Sequence, residues 1–154
     1  MAISKLMHMK ETAGNPSRHL KRAIEYIMNP EKTNDQKYVK VNQALHVNKI
    51  NSEQIYERML HTKRIFGKEW GRQGYHFIIS FADQDHITPE EAVQIIDEIQ
   101  KEYLKDVYEC VYAIHDNTEH LHGHLIFNSI DCVKGMKYHY KKGDWEKDIL
   151  PCVN

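Results

Sequence analysis

The segment from Tyr112 to Ile130 constrains the fold of this chain more than any other feature. It contains four of the eleven histidines, which are His115, His120, His122 and His124. Strand-forming residues flank a polar run over 116–119, which predicts an antiparallel hairpin with strands over 108–115 and 120–130. Side chains alternate along a strand and paired residues point the same way, so all four histidines would share one face, with His115 opposite His120.

A face lined with imidazoles is a candidate metal site, since imidazole is the commonest metal ligand among side chains. Three imidazoles on a rigid hairpin would leave coordination positions open, as catalytic metal sites do. His120, His122 and His124 are spaced about 6.5 Å apart along one strand, so they converge poorly on one ion. His122, His124 and a neighbour across the hairpin make a better triangle, and geometry alone leaves that neighbour open. The alternative is a row of ordinary surface histidines.

The rest of the chain alternates strands with helices. The residue patterns predict strands over 3–9, 38–47 and 75–82, helices over 15–28, 52–66 and 89–106, and the first turns of a helix over 144–150. A capping box of Thr88 and Glu91 opens the third helix. The polar run over 29–37 predicts an exposed loop, mobile unless a ligand orders it. Because a hairpin requires antiparallel pairing, we expect an α+β fold with a mainly antiparallel sheet of about five strands, flanked by helices.

Length and composition indicate one domain. A chain of 154 residues supplies one hydrophobic core, and its three cysteines show no C-x-x-C spacing. That spacing argues against a disulfide framework and against a thiolate zinc site. The sequence has no long apolar run and no signal peptide, so we expect a soluble, cytoplasmic protein.

Charge divides along the chain. Residues 1–72 carry 14 Lys and Arg against 7 Asp and Glu, a net charge of +7, whereas residues 73–154 carry 7 against 15, a net charge of −8. A basic region is typical of a protein that binds a polyanion. Basic residues also surround Trp70, a combination that suits single-stranded nucleic acid, in which bases stack and phosphates pair with cations. The alternative is solvated charge beside a partly buried tryptophan.

Tyr26 lies off the apolar stripe of the first predicted helix. At about 100° per residue it falls on the polar side that carries His19 and Arg22. A tyrosine beside an arginine, one turn before Asn29 and Pro30 end the helix, is a reasonable position for a nucleophile. The alternative is an ordinary surface tyrosine.

Three motifs resemble, in this order, those of the catalytic domain of conjugative relaxases. They are A-I-E-Y-I-M-N-P-E-K-T at the end of the first helix, Y-H-F-I-I-S-F followed by T-P-E-E-A, and V-Y-A-I-H-D-N-T-E-H-L-H-G-H-L-I-F-N-S. These mobilisation nucleases belong to the HUH endonuclease superfamily, and the chain resembles their MOB-P class over most of residues 1–132. The resemblance implies a ferredoxin-like two-layer sandwich, and we expect residues 1–154 to be one catalytic domain from the N-terminal part of a longer protein.

The resemblance also implies a reaction and a site. Tyr26 would attack a scissile phosphate at an origin of transfer, giving a 5′-phosphotyrosine and a free 3′-hydroxyl. His115, His122 and His124 would hold the metal, Mn²⁺ or Mg²⁺ first and Zn²⁺ second, with His120 as the runner-up ligand. The acidic residue that accompanies the ligands in the family corresponds to Asp116 or Glu119.

The expected partners are single-stranded origin DNA with its flanking hairpin, together with accessory relaxosome proteins, around a protein that acts as a monomer in the catalytic step. The predicted DNA-contacting residues are His19, Arg22, Lys32, Lys63, Arg64, Lys68, Trp70 and Arg72. Two other classes stay open on the residues alone. One is a three-histidine zinc hydrolase of a small substrate, and the other is a nucleic-acid-binding module without catalysis.

Overall fold

A computed structural model describes residues 3–117 and 119–139 of the chain. The elements are β1 (Ile3–Met9), α1 (Arg18–Ile27), β2 (Val39–Val41), α2 (Ser52–Ile65), β3 (Gly74–Ser80), α3 (Pro89–Tyr103), β4 (Cys110–His115) and β5 (His122–Asn128), with a short 3₁₀ turn at Asp83–Asp85. The five strands form one sheet in the order β1-β3-β5-β4-β2, and every pair is antiparallel. The predicted α+β class is therefore confirmed.

Helices cover both faces of this sheet. Val111, Ala113 and Ile126 pack into a cluster with residues of α1 and α2, whereas Tyr112, Ile114 and Leu125 pack with residues of α3. Neighbouring residues of one strand point to opposite faces, so the two clusters lie on opposite sides. The structure therefore has three layers rather than the two implied by the resemblance. In β4 every residue is buried, as expected for a strand covered on both sides.

The predicted elements differ from the observed ones mainly at their ends. The second strand stops at Val41 because Asn42 turns the chain. Its side-chain amide donates to Tyr108 O and Gln100 Oε1, and its Oδ1 accepts from the backbone of Cys110. The capping box of α3 is confirmed, and α3 ends at Tyr103, three residues before the predicted end. The predicted helix over 144–150 lies outside the described residues.

The chain has no membrane-spanning candidate in the part that the structure describes. None of the helices there combines the length and the hydropathy that a bilayer crossing needs.

Gly123 is the point where α3 packs directly against β5. A β-carbon at this position would overlap Cδ1 of Ile96 and would lie 3.0 Å from Cδ1 of Ile114. We expect Gly123→Ala to lower the free energy of unfolding by about 1–3 kcal/mol, since added volume in a packed core forces side chains to shift. Urea denaturation measures this change.

A double variant tests the cause. Ile96→Val removes the Cδ1 atom that the new methyl group meets, so Gly123→Ala combined with Ile96→Val should be less destabilised than the sum of the single variants. Strictly additive losses would show that contact with Ile96 is not what excludes a side chain at Gly123.

Candidate metal centre with a neighbouring tyrosine

Three histidines converge at the end of the β4–β5 hairpin. His115 is the last residue of β4 and pairs with His122, the first residue of β5, while His124 follows two residues later on the same face. One ring nitrogen from each of the three lies within 4.8 Å of the other two. This grouping brings together the predicted ligands His115, His122 and His124, and it supplies the neighbour across the hairpin that geometry alone left open.

Hydrogen bonds to main-chain carbonyls orient two of the three rings. His115 Nε2 donates to Ile27 O at 2.9 Å, and His122 Nδ1 donates to His120 O at 3.1 Å. A carbonyl can only accept, so these two nitrogens carry the ring protons. The lone pairs of His115 Nδ1 and His122 Nε2 are therefore left for a ligand, which is the usual way in which a neighbouring acceptor prepares a metal-binding imidazole.

The third ring is oriented by another histidine. His76 Nε2 lies 2.8 Å from His124 Nδ1, and the two rings share the hydrogen bond between them. His115 Nδ1 and His124 Nε2 are both buried and have no hydrogen-bond partner among the described residues. A buried polar atom without a partner costs free energy, and a cation would satisfy both nitrogens. The donor set thus fits a divalent cation.

Burial keeps these rings neutral. It lowers the pKa of His76 to about 4, with smaller effects from His115 and His19, and it lowers the pKa of His124 strongly, with His115 and His76 adding to the effect. Burial also lowers the pKa of His115, although the Ile27 carbonyl and the Asp116 charge oppose the shift. Neutral imidazole is the form that binds a metal, so the lowered pKa values of His115 and His124 favour metal binding near pH 7.

Tyr26 lies against this cluster from the last turn of α1. Its ring centroid is 5.8 Å from that of His115 and 5.9 Å from that of His124, both edge-on. The two histidines are buried, whereas Tyr26 is 48% exposed, so Tyr26 contacts the cluster and remains open to solvent. Lys32 Nζ lies 4.1 Å from the centroid of the same ring. A potential nucleophile, a cation and three potential metal ligands therefore share one site.

The loop over 29–37 positions Lys32. Thr33 Oγ1 donates to Asn29 O, Gln36 Nε2 donates to Met28 O, and the Lys32 carbonyl accepts from the backbone of Asp116. Asn34, Asp35 and Gln36 all have positive φ, which asparagine and aspartate adopt more readily than most residues. The loop was predicted to be exposed, and most of it is, but Thr33 is fully buried and anchors the turns.

The predicted hairpin register is wrong by two residues. The turn extends to Leu121, so His122 rather than His120 pairs with His115. His120 lies before β5, largely exposed, with Nδ1 3.2 Å from Asp83 Oδ1, and it is outside the cluster of potential ligands. Asp116 and Glu119 are exposed residues of the same turn. Their predicted role beside the ligands remains a prediction.

Sequence reasoning missed His76, whose ring contacts that of His124. Part of the signal was present, because His76 lies in the strand predicted over 75–82. Alternation along that strand places its side chain on one of the two faces of the sheet. Its contact with His124 depends on the pairing of β3 with β5, which the sequence does not reveal.

We expect His76→Ala to weaken metal binding about 10- to 100-fold, the usual effect of removing the partner that orients a metal-binding histidine. Calorimetric titration of the DNA-free protein with Mn²⁺ or Zn²⁺ measures the affinity. His76→Gln, which retains an acceptor, should recover part of the loss, and His8→Ala on the opposite face of the sheet should have no effect. Unchanged affinity in His76→Ala would rule out an orienting role.

Most of the predicted DNA-contacting residues lie on the surface, and one does not. The exposed or partly exposed members are His19, Arg22, Lys32, Arg64, Lys68, Trp70 and Arg72. Lys63 is a correction, because it is fully buried and donates to Asn128 Oδ1. Burial lowers the pKa of Lys63 to about 7, with nearby Glu109 opposing the shift. In this fold Lys63 ties α2 to the sheet and is not available to a phosphate.

The fold and the site together define a class: an antiparallel-sheet domain with a cluster of three histidines that could hold a metal ion, and a tyrosine from the first helix beside it. Residues 26–149 match the family described as "Relaxase: MobA/VirD2-like, nuclease domain", and the chain belongs to that family. The matched region begins at Tyr26.

Individual relatives agree with this assignment. The "Group II intron-interrupted relaxase LtrB" of Lactococcus lactis subsp. cremoris is 30% identical over 142 residues, which cover 80% of this chain and 25% of that protein. A "Protein rlx" of Staphylococcus aureus is 35% identical over 93 residues, covering 60% of this chain and 28% of that protein. The chain thus spans about a quarter of the length of these relatives.

A solved structure shares the fold. It carries the description "Molecular Basis of Vancomycin Resistance Transfer in Staphylococcus aureus", and it aligns with 99% of this chain and 86% of its own with a TM-score of 0.57. The sequence identity is 14%, so this similarity concerns the fold alone.

Proposed function

We propose that this chain nicks one strand of DNA at an origin of transfer, with Tyr26 as the nucleophile. The observation that supports this most directly is the contact between the Tyr26 ring and the rings of His115 and His124. About ninety positions separate the tyrosine from these histidines, and only folding brings them together. Membership of the relaxase nuclease family supports DNA as the substrate.

In the proposed step the phenolic oxygen of Tyr26 attacks the phosphorus of one phosphodiester. The bond from phosphorus to the 3′-oxygen breaks, the 3′-oxygen leaves as a hydroxyl after taking a proton, and the phenolic proton passes to water at the exposed side of the ring. The products are a 5′-phosphotyrosine and a free 3′-hydroxyl. Because the energy of the phosphodiester is retained in the new ester, the reverse step can reseal a strand.

His115, His122 and His124 would hold the divalent cation, for which we propose Mn²⁺ or Mg²⁺ first and Zn²⁺ second. A cation bound there would polarise a non-bridging phosphate oxygen and offset the negative charge that develops in the displacement. The chain's own residues prepare the site. The carbonyl oxygens of Ile27 and His120 fix which ring nitrogen carries the proton in His115 and His122. His76 orients the ring of His124.

The surface beside Tyr26 suits a single strand. Arg22 and His19 lie on the exposed side of α1, and Lys32 lies over the tyrosine ring. Trp70 is 64% exposed and would offer a stacking surface. We propose single-stranded origin DNA with its flanking hairpin as the substrate, a monomer as the catalytic species, and accessory proteins as partners of the longer protein.

A covalent adduct tests the proposal. The chain is incubated with Mn²⁺ and labelled single-stranded oligonucleotides that tile the candidate origin, and the products are separated under denaturing conditions. We expect a labelled adduct that survives denaturation and disappears when a chelator is added first. A small-molecule zinc hydrolase or a non-catalytic binding module would form no adduct with any of the oligonucleotides.

A further inference from the structure

A cavity lies at the opposite end of the sheet from the cluster of three histidines. It has a volume of about 300 Å³ and is lined by Arg72, Tyr75, Ser129, Lys137, Tyr138 and His139. Ser129 directly follows β5 and is five residues beyond His124, about 17 Å along the strand. Tyr75 packs with the cluster on the α3 side of the sheet, so the cavity is distinct from the histidine site.

Ser129 supplies the first sign of a ligand. Its side chain is 3% exposed, and its hydroxyl is buried without a hydrogen-bond partner among the described residues. Its backbone is fully engaged, because its N–H donates to Asn128 Oδ1 and its carbonyl accepts from Tyr138. A buried hydroxyl without a partner, on a residue that lines a cavity, is unfavourable unless a bound group completes its bonding.

The charges and rings around this hydroxyl define the class of ligand. Arg72 and Lys137 are exposed, and neither forms an ion pair with a carboxylate of the described chain. Arg72 Nη1 lies 3.4 Å from the hydroxyl of Tyr75, whose ring is 5.0 Å from that of Tyr138. Two cations beside aromatic rings and a hydroxyl suit a phosphate joined to a nucleobase.

Exposed residues connect the cavity with Tyr26. Arg18, Arg22 and Tyr26 recur every fourth residue on the exposed side of α1, so they form a row about 12 Å long. Beyond Arg18, Trp70 lines a cleft with Gly14 and Pro16, and Lys137 Nζ donates to Trp70 O. A strand held at Tyr26 can therefore follow this row past Trp70 to the cavity.

We propose that this cavity binds one unpaired nucleotide of the DNA strand, several nucleotides away from the phosphodiester that Tyr26 attacks. The phosphate lies against Arg72 and Lys137, and the base lies against Tyr138 and bonds with the Ser129 hydroxyl. The inference rests on the proposed function for the identity of the strand. It adds a second point at which the protein holds, and can read, the DNA.

Nuclear magnetic resonance of the metal-free chain tests the cavity without any cleavage. The probes are thymidine monophosphate, oligodeoxythymidine and inorganic phosphate. We expect the first two to shift the amide signals of Ser129 and Tyr138, and inorganic phosphate to shift them far less. Shifts confined to the surroundings of Tyr26, or the same response to phosphate alone, would overturn the proposal of a nucleotide site.

Ser129→Ala separates binding from folding. Because it removes a hydroxyl that has no partner, this variant should keep or raise the melting temperature, yet weaken nucleotide binding about two- to tenfold. Arg72→Gln should also weaken binding, whereas Lys40→Gln, which removes an exposed charge from β2, should not. Unchanged affinity in both Ser129→Ala and Arg72→Gln would overturn the proposal. Adduct formation at Tyr26 is measured separately, so either proposal can fail while the other holds.

Discussion

Tyr26→Phe is expected to abolish formation of the covalent adduct while leaving DNA binding nearly unchanged. The substitution removes only the phenolic oxygen, which is the proposed nucleophile, and keeps the ring that contacts His115, His124 and Lys32. Loss of a nucleophile typically lowers the rate by about 10⁴-fold or more. The adduct is measured on a denaturing gel, and binding is measured by fluorescence anisotropy with the same oligonucleotide.

Tyr103→Phe provides the matched control, because Tyr103 lies on α3 and packs on the other side of the sheet. This variant should form the adduct at the wild-type rate. An adduct that still forms in Tyr26→Phe would mean that another side chain is the nucleophile.

His122→Ala and His124→Ala should each eliminate metal-dependent cleavage. Each removes one of three nitrogens that lie within 4.8 Å of one another, so the metal affinity should fall by more than the roughly 100-fold that losing an orienting partner causes. Calorimetry with Mn²⁺ and the adduct assay measure the two losses separately.

His120→Ala is the control for both, since it removes an imidazole from the same turn without touching the cluster. We expect it to leave metal affinity and cleavage close to wild type, which would exclude the runner-up ligand. Cleavage that stays sensitive to a chelator in His124→Ala would contradict the assignment of the three ligands.

The sequence predicts the hairpin and its histidine face because alternation along a strand is a local property. The position of Tyr26 off the apolar stripe of α1 is local too, as is the capping box at Thr88. The length of the turn after His115 is less certain from sequence, since a polar run can extend without a change in pattern. The consequence was a register that paired His115 with His120 instead of His122.

Properties that depend on packing between distant segments were harder to predict. Lys63 was placed on the DNA surface by its charge, although it lies four residues after Met59 and eight after Ile55 and so continues their buried stripe. Its burial is tolerable because it donates to Asn128, the last residue of β5, and lies near Glu109, the residue before β4. The role of His76 likewise depends on strand pairing. That helices cover both faces of the sheet, rather than one, depends on where α3 packs.

Ile27 follows Tyr26 in sequence, and its carbonyl oxygen accepts a hydrogen bond from the ring N–H of His115. The last turn of α1 therefore carries the proposed nucleophile and also orients a proposed metal ligand. If DNA steadies that turn, it also steadies His115 in the orientation that a cation needs, so the two ligands should bind cooperatively. Thermodynamic linkage makes such an effect reciprocal: oligonucleotide should raise the affinity for the cation by the same factor by which the cation raises the affinity for oligonucleotide.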